Sequence, residues 1–176
     1  MGAIAAGLFA PLAKQSQSAV PVAATRTGAA AIRSRVVSAI PPQIRRELRA
    51  EFPERRCAYC HSPEALLGIP LEADHIIPSA RKGRTILSNL CLCCRVCNGR
   101  KADRQKARDP LTRRLVRLFH PRQQTWTTHF RWSDDGTEII GLTTTGRATV
   151  DALKMNSELI TSLRSLWVTL GLHPRD

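Results

Sequence analysis

Leu71-Glu72-Ala73-Asp74-His75-Ile76-Ile77-Pro78 is the stretch on which the reading of this chain turns. Partial alternation from Leu71 to Ile77 predicts a β-strand that carries a carboxylate beside an imidazole. Upstream stands Cys57-Ala58-Tyr59-Cys60, and downstream Cys94-Arg95-Val96-Cys97, followed directly by Asn98-Gly99-Arg100-Lys101. Asn89 lies between the strand and the second pair of cysteines. Two Cys-x-x-Cys knuckles offer four thiolates on tight turns, the donor set of a tetrahedral structural Zn²⁺. The segment between them is too short to be held by core burial alone, so a metal would pin its ends. Cys91 and Cys93 are alternatives to Cys94 as ligands, or small buried thiols. The Cys94-x-x-Cys97 spacing and the Asn98 that follows favour Cys94.

The residues between and beside the knuckles suit phosphodiester chemistry. Such a reaction needs an activated water and charge stabilisation on the phosphate and the leaving oxygen. His75 can take a proton near neutral pH. Asp74 and Asn98 offer a carboxylate and an amide oxygen, hard donors for Mg²⁺ or Mn²⁺. Asn89 is the candidate for holding the loop that aims the imidazole. Each residue also has a plainer reading. Neighbours on a regular strand face opposite sides, so Asp74 and His75 converge only at a strand end or bulge. Asn98 could be a helix N-cap, Asn89 a turn residue, and Glu72 a supporting residue on the Asp74 side of the strand.

This arrangement resembles the HNH nucleases, the ββα-metal or His-Me finger group, in the variant with Asn at the third motif position. The resemblance implies His75 as general base and Asp74 with Asn98 as ligands of the catalytic metal. It also implies that Asn89 orients the base and that Lys101 sits on a phosphate. Residues 41–176, including Gly146-Arg147-Ala148-Thr149-Val150, are similar to one bacterial and cyanobacterial HNH subgroup. The turn Ser79-Ala80-Arg81-Lys82-Gly83 departs from the pattern, because many members have two glycines there.

The net charge of +13 over 176 residues points to a polyanionic partner, DNA before an anionic membrane surface. Arg100, Lys101 and Arg104, continued by Lys106 and Arg108, are expected on one basic helix from Asn98 to Arg108, a phosphate-binding face. No apolar run is long enough to span a membrane, and nothing calls for a small-molecule cofactor. Six cysteines, four of them within residues 91–97, argue for a reducing compartment with zinc rather than for disulfides. The expected location is cytoplasmic, or organellar if residues 1–39 are a transit peptide. A homodimer is compatible with cutting both strands of a duplex, a monomer with nicking.

The expected fold class is α+β: a zinc-stabilised ββα unit with flanking helices and a C-terminal hairpin plus helices. Residues 1–39 read as a low-complexity tail, 40–109 as the nuclease core, and 110–176 as an extension packed on it. Pro41-Pro42 open a helix with Ile44, Leu48 and Phe52 on one face, and residues 62–70 read as a loop. Residues 128–132 and 138–142 flank Asp134-Asp135-Gly136 as a hairpin. Two helices follow, the last with Leu159, Leu163, Leu166 and Trp167 on its apolar face and Gly171 closing it. The function expected is metal-dependent DNA endonuclease. The rival is a non-catalytic zinc-stabilised nucleic-acid-binding module, and a protein-binding adaptor is the weaker third reading.

Overall fold

Three short antiparallel pairs, each set beside helix, make up the strand content of the computed structural model, which describes residues 40–174. The tail over residues 1–39 and its targeting-like composition lie outside the described residues. The architecture is α+β, as the sequence predicts.

Helix α1 (Pro42–Glu51) begins at Pro42, where the missing N–H costs nothing, and buries Leu48 completely. A short helix α2 (Glu64–Leu67) stands in the predicted loop. Gly68 ends it at φ 68°, a left-handed conformation open to glycine at little cost. The central unit is β1 (Glu72–His75) paired with β2 (Leu90–Cys93), then α3 (Arg95–Lys101). The register places Asp74 opposite Cys91 and His75 opposite Leu90. All of β2 is buried, so its run of Leu and Cys replaces the alternation of a half-exposed strand.

The predicted basic helix from Asn98 to Arg108 does not form as such. Helix α3 starts three residues earlier and stops at Lys101, because Ala102 takes φ 48°. Residues Lys106–Arg108 are instead strand β3, paired with β4 (Leu115–Arg117). Nor is Asn98 an N-cap: Cys94 is, its sulfur accepting the Cys97 N–H at 3.4 Å.

Beyond β4 come a short helix α4 (Trp126–His129), the hairpin β5 (Phe130–Trp132) with β6 (Ile139–Gly141), then α5 (Thr144–Leu153) and α6 (Glu158–Thr169). Close approach fixes Gly146, where a Cβ would stand 2.1 Å from the His129 carbonyl oxygen. The apolar face predicted for α6 is displaced. Leu159 and Leu166 are exposed, while Ile160, Arg164 and Trp167 are buried. An arginine at the centre of the buried stripe hid it from hydrophobic periodicity.

One continuous apolar cluster joins Leu48, Tyr59, Leu90 and Leu92 to Phe119, Trp126, Phe130 and Leu153. The Trp126 indole N–H donates to the Tyr59 carbonyl at 2.9 Å, and Arg122 Nε to that of Leu90 at 2.6 Å. Among the described residues, no helix is long and apolar enough to cross a membrane.

The β3–β4 turn is tied to α5 by fully buried Asp109, which takes Arg147 Nε and Nη2 at 2.8 Å each. This guanidinium, aided by Thr112, holds the Asp109 carboxyl well below the usual carboxylate range. A carboxyl whose folded pKa is depressed adds stability above its unfolded value of about 4, and that stability fades as pH falls through the folded value. Asp109→Asn should therefore lower the melting temperature at neutral pH and flatten its fall between about pH 4 and 2. Melts across that range would check this, and an unchanged slope would count against the pair.

Candidate metal centre and active site

The sulfurs of Cys57, Cys60, Cys94 and Cys97 are buried, and all lie within 4.8 Å of one another. Cys60 and Cys94 Sγ are 3.8 Å apart. That is close to the edge of about 3.8 Å expected for a tetrahedron with Zn–S near 2.3 Å. Ordinary thiols in this cluster share protons awkwardly. Burial pushes Cys57 up, while hydrogen bonds from neighbouring thiols pull Cys60 down. A divalent cation relieves that frustration by pairing with four thiolates, so the site fits a structural zinc. Cys91 and Cys93 lie outside the cluster, on β2. Cys91 faces Asp74 across the sheet, and burial pushes its thiol up to about 12. The chain uses Cys94, as its spacing predicts.

Asp74 points into the core. Its carboxylate takes Lys101 Nζ at 3.0 and 3.3 Å and the Tyr59 hydroxyl at 3.2 Å. Burial raises its pKa, and Lys101 and Tyr59 oppose that. Lys101, 1% exposed, also donates to the His75 carbonyl at 2.7 Å. It is thus the internal counter-ion of Asp74, and this arrangement does not present it to a phosphate on the surface. A long side chain at the last residue of α3 reaches the strand because the helix packs directly on β1.

Asn98 sits beside this pair, one turn before Lys101 on α3. Its Nδ2 donates to Glu72 Oε2 at 2.7 Å, which leaves the amide oxygen as the atom available to a ligand. Glu72 and Asp74, two residues apart, both meet α3. The His75 ring turns elsewhere. Its Nε2 lies 2.9 Å from Thr85 Oγ1, and burial lowers its pKa, with Lys101 adding to this and Asp74 opposing it. Among the described residues, no hydrogen bond links His75 to Asp74 or to Asn98.

Asn89 is buried and clamps the turn that follows β1. Its side chain accepts from the Ile77 N–H at 2.9 Å and donates to the carbonyls of Ile77 at 3.0 Å and Arg84 at 2.9 Å. Within that turn Lys82 takes φ 65° where a second glycine would be at ease, and Gly83 packs so closely that a Cβ would meet the Ile77 carbonyl oxygen at 1.7 Å. Arg100 and Arg104 are exposed. Sequence reasoning missed Thr85 and Tyr59. Tyr59 hides in the knuckle's variable positions, and Thr85 follows a turn with no period to mark it.

Residues 57–104 match the family model described as HNH endonuclease. Neither the curated proteins nor the solved structures gave a match to the chain.

Lys101→Met should leave Asp74 buried without its cation, at a cost of about 3–5 kcal/mol. Urea unfolding of the zinc-loaded protein measures it. Asp74→Asn in the same chain should recover much of the loss, and a penalty under about 1 kcal/mol in the single variant would show the pair to be dispensable.

Proposed function

We propose that this protein is a divalent-metal-dependent endonuclease that hydrolyses DNA phosphodiester bonds by attack of water. The observation carrying this reading is the Asp74-His75 pair at the end of β1, Asp74 turned to α3 and His75 to Thr85, inside a segment that matches the HNH endonuclease model. His75 is the general base. In the tautomer whose Nε2–H donates to Thr85 Oγ1, Nδ1 keeps its lone pair to accept a proton from water. A lowered pKa keeps the ring neutral near pH 7, the form a base requires. Asn89 acts through the clamped turn, holding the backbone on which His75 ends.

Asp74 and Asn98 are the ligands in this reading. A carboxylate and an amide oxygen fit Mg²⁺ or Mn²⁺ better than a soft metal. Bound there, the ion would supply Lewis acidity to the phosphate and the leaving 3′ oxygen. The Lys101 ammonium must then give way to the ion or share the carboxylate with it. Glu72 holds the Asn98 amide so that its oxygen, not its nitrogen, is free.

The Asp74–Lys101 ion pair favours a second reading, a non-catalytic zinc-stabilised nucleic-acid-binding module, because a carboxylate already neutralised has less need of a divalent ion. Supercoiled plasmid separates the two. Nicking or linearisation should require added Mg²⁺ or Mn²⁺, and His75→Ala should reduce it at least about a hundredfold while zinc content stays unchanged. Cleavage that survives His75→Ala removes His75 as base. Binding without cleavage in either metal supports the second reading.

A further inference from the structure

We propose that the β3–β4 ribbon, residues 106–117, is a docking surface for the phosphate backbone of duplex DNA. This rests on the nucleic-acid reading above for the identity of the polyanion, but not on cleavage. Lys106 stands directly opposite Arg117 in the register, with Arg108 two residues along on the same side. Like charges opposed across a strand pair are destabilising, so the ribbon carries a cost that an anionic partner would relieve. Arg113 and Arg114 are exposed at its turn, and Lys106, Arg108 and Arg117 along its length. Nothing in the ribbon offsets them. Its one acid, Asp109, is buried and committed to Arg147. β3 and β4 pack on α5, and exposed Arg100 and Arg104 precede the ribbon in the chain. The charge therefore comes from two elements, a helix end and a strand pair.

The test is binding of a short fluorescein-labelled duplex as a function of salt, without added Mg²⁺ or Mn²⁺, comparing the native chain with Lys106→Gln/Arg114→Gln/Arg117→Gln. Loss of three phosphate contacts should lower the slope of log K against log salt by about 2 to 3 and weaken binding tenfold or more. Zinc content should not change and the melting temperature should not fall, since removing opposed like charges relieves repulsion; if the triple variant is unstable, Lys106→Gln/Arg117→Gln should lower the slope by about 2. An unchanged slope overturns the ribbon. So does a variant that loses affinity for anionic phosphatidylserine vesicles while holding duplex as before. Plasmid cleavage with an unchanged slope leaves the nuclease standing and removes the ribbon. A lowered slope without cleavage does the reverse.

A separate observation concerns Arg164 of α6, fully buried, with Nε and Nη2 making no hydrogen bond. Nη1 donates to the Thr137 carbonyl at 3.1 Å and to Asn156 Oδ1 at 3.3 Å. The guanidinium lies 5.1 Å from the Trp132 ring centre; burial lowers its pKa, and Cys60, Cys97 and Cys57 of the four-cysteine cluster oppose that. Four thiolates around Zn²⁺ carry a net charge of about −2, which a buried setting tolerates only with a nearby cation. The geometry points to Arg164 as that counter-ion, its idle N–H groups turned to the Cys60 thiolate in the loaded protein. The zinc centre of the HNH segment is then completed by a helix about a hundred residues along the chain from Cys60.

Arg164→Met keeps the volume and removes the charge. Zinc affinity, read by chelator competition, should fall about tenfold to a hundredfold. In the Co²⁺-loaded form, the sulfur-to-metal charge-transfer band should move to lower energy as a thiolate loses its hydrogen-bond donor. Packing alone predicts a lower melting temperature with affinity and band unchanged, and that result overturns the assignment. Should Arg164→Met fail to fold, Arg164→Lys carries the test: a Co²⁺ band in its native position would overturn the hydrogen bond to Cys60.

Discussion

Four sulfurs closing on one another govern how β1, β2 and α3 meet. Cys57 and Cys60 hold the turn before β1, and Cys94 and Cys97 hold the start of α3, so the cluster sets where the helix lies on the strand pair. Between these points β1 and β2 contribute only four residues each. A pair that short is not stable in water without support. Zinc bound to a cysteine knuckle contributes on the order of 10 kcal/mol to folding, more than the net stability left to many whole domains. Cys94 serves twice, as a cluster sulfur and as N-cap of α3 through its N–H···S bond from Cys97. The cluster thereby fixes the start of the helix that carries Asn98 one turn on and Lys101 about two turns on.

Electrostatics inside the unit follow from that position. A carboxylate as buried as Asp74 would protonate or reject burial if it were unpaired. Burial raises its pKa, Lys101 and Tyr59 oppose that, and Lys101 spans to the His75 carbonyl. One ammonium thus links the backbone of the residue proposed as base to the carboxylate proposed as ligand. Glu72 does related work for Asn98. Both contacts come from α3 meeting one side of β1, while His75, next along the strand, meets Thr85 on the other. Alternation along a regular strand predicts this divergence, and the strand ends at His75, where the chain is free to turn.

Much of this was legible in the residues. The knuckle spacing carried the cysteine cluster, because Cys-x-x-Cys implies a local turn whatever the tertiary fold. Proline marked the start of α1, and Asp134-Asp135-Gly136 marked the β5–β6 hairpin, since both are local backbone constraints. What failed depended on tertiary context. The basic stretch from Asn98 to Arg108 has no apolar period to set its length, so nothing in it announced that Ala102 would take a left-handed turn and release Lys106–Arg108 into a strand. The α6 face was misplaced because Arg164 is buried, and a buried arginine is explained only by what surrounds it. Lys101 looked like a surface cation for the same reason: its partner lies 27 residues away along the chain.

The C-terminal half supplies what the HNH segment lacks. Residues 57–104 hold all six cysteines of the chain and, with Tyr59, one Phe, Tyr or Trp among them. Phe119, Trp126 and Phe130 pack as a tilted and edge-on aromatic group at 5.1 to 5.2 Å, and Trp126 ties to the backbone of the first knuckle. His61, just past that knuckle, stacks on the same indole at 4.3 Å. Burial of those rings accounts for apolar stabilisation that β1, β2 and α3 cannot generate from their own side chains. A short metal-pinned segment and a larger apolar body are therefore complementary halves of one core. Strain or damage at the cluster must then be felt in the aromatic group through Tyr59, and loss of the aromatic group must loosen the turn that carries Cys57 and Cys60.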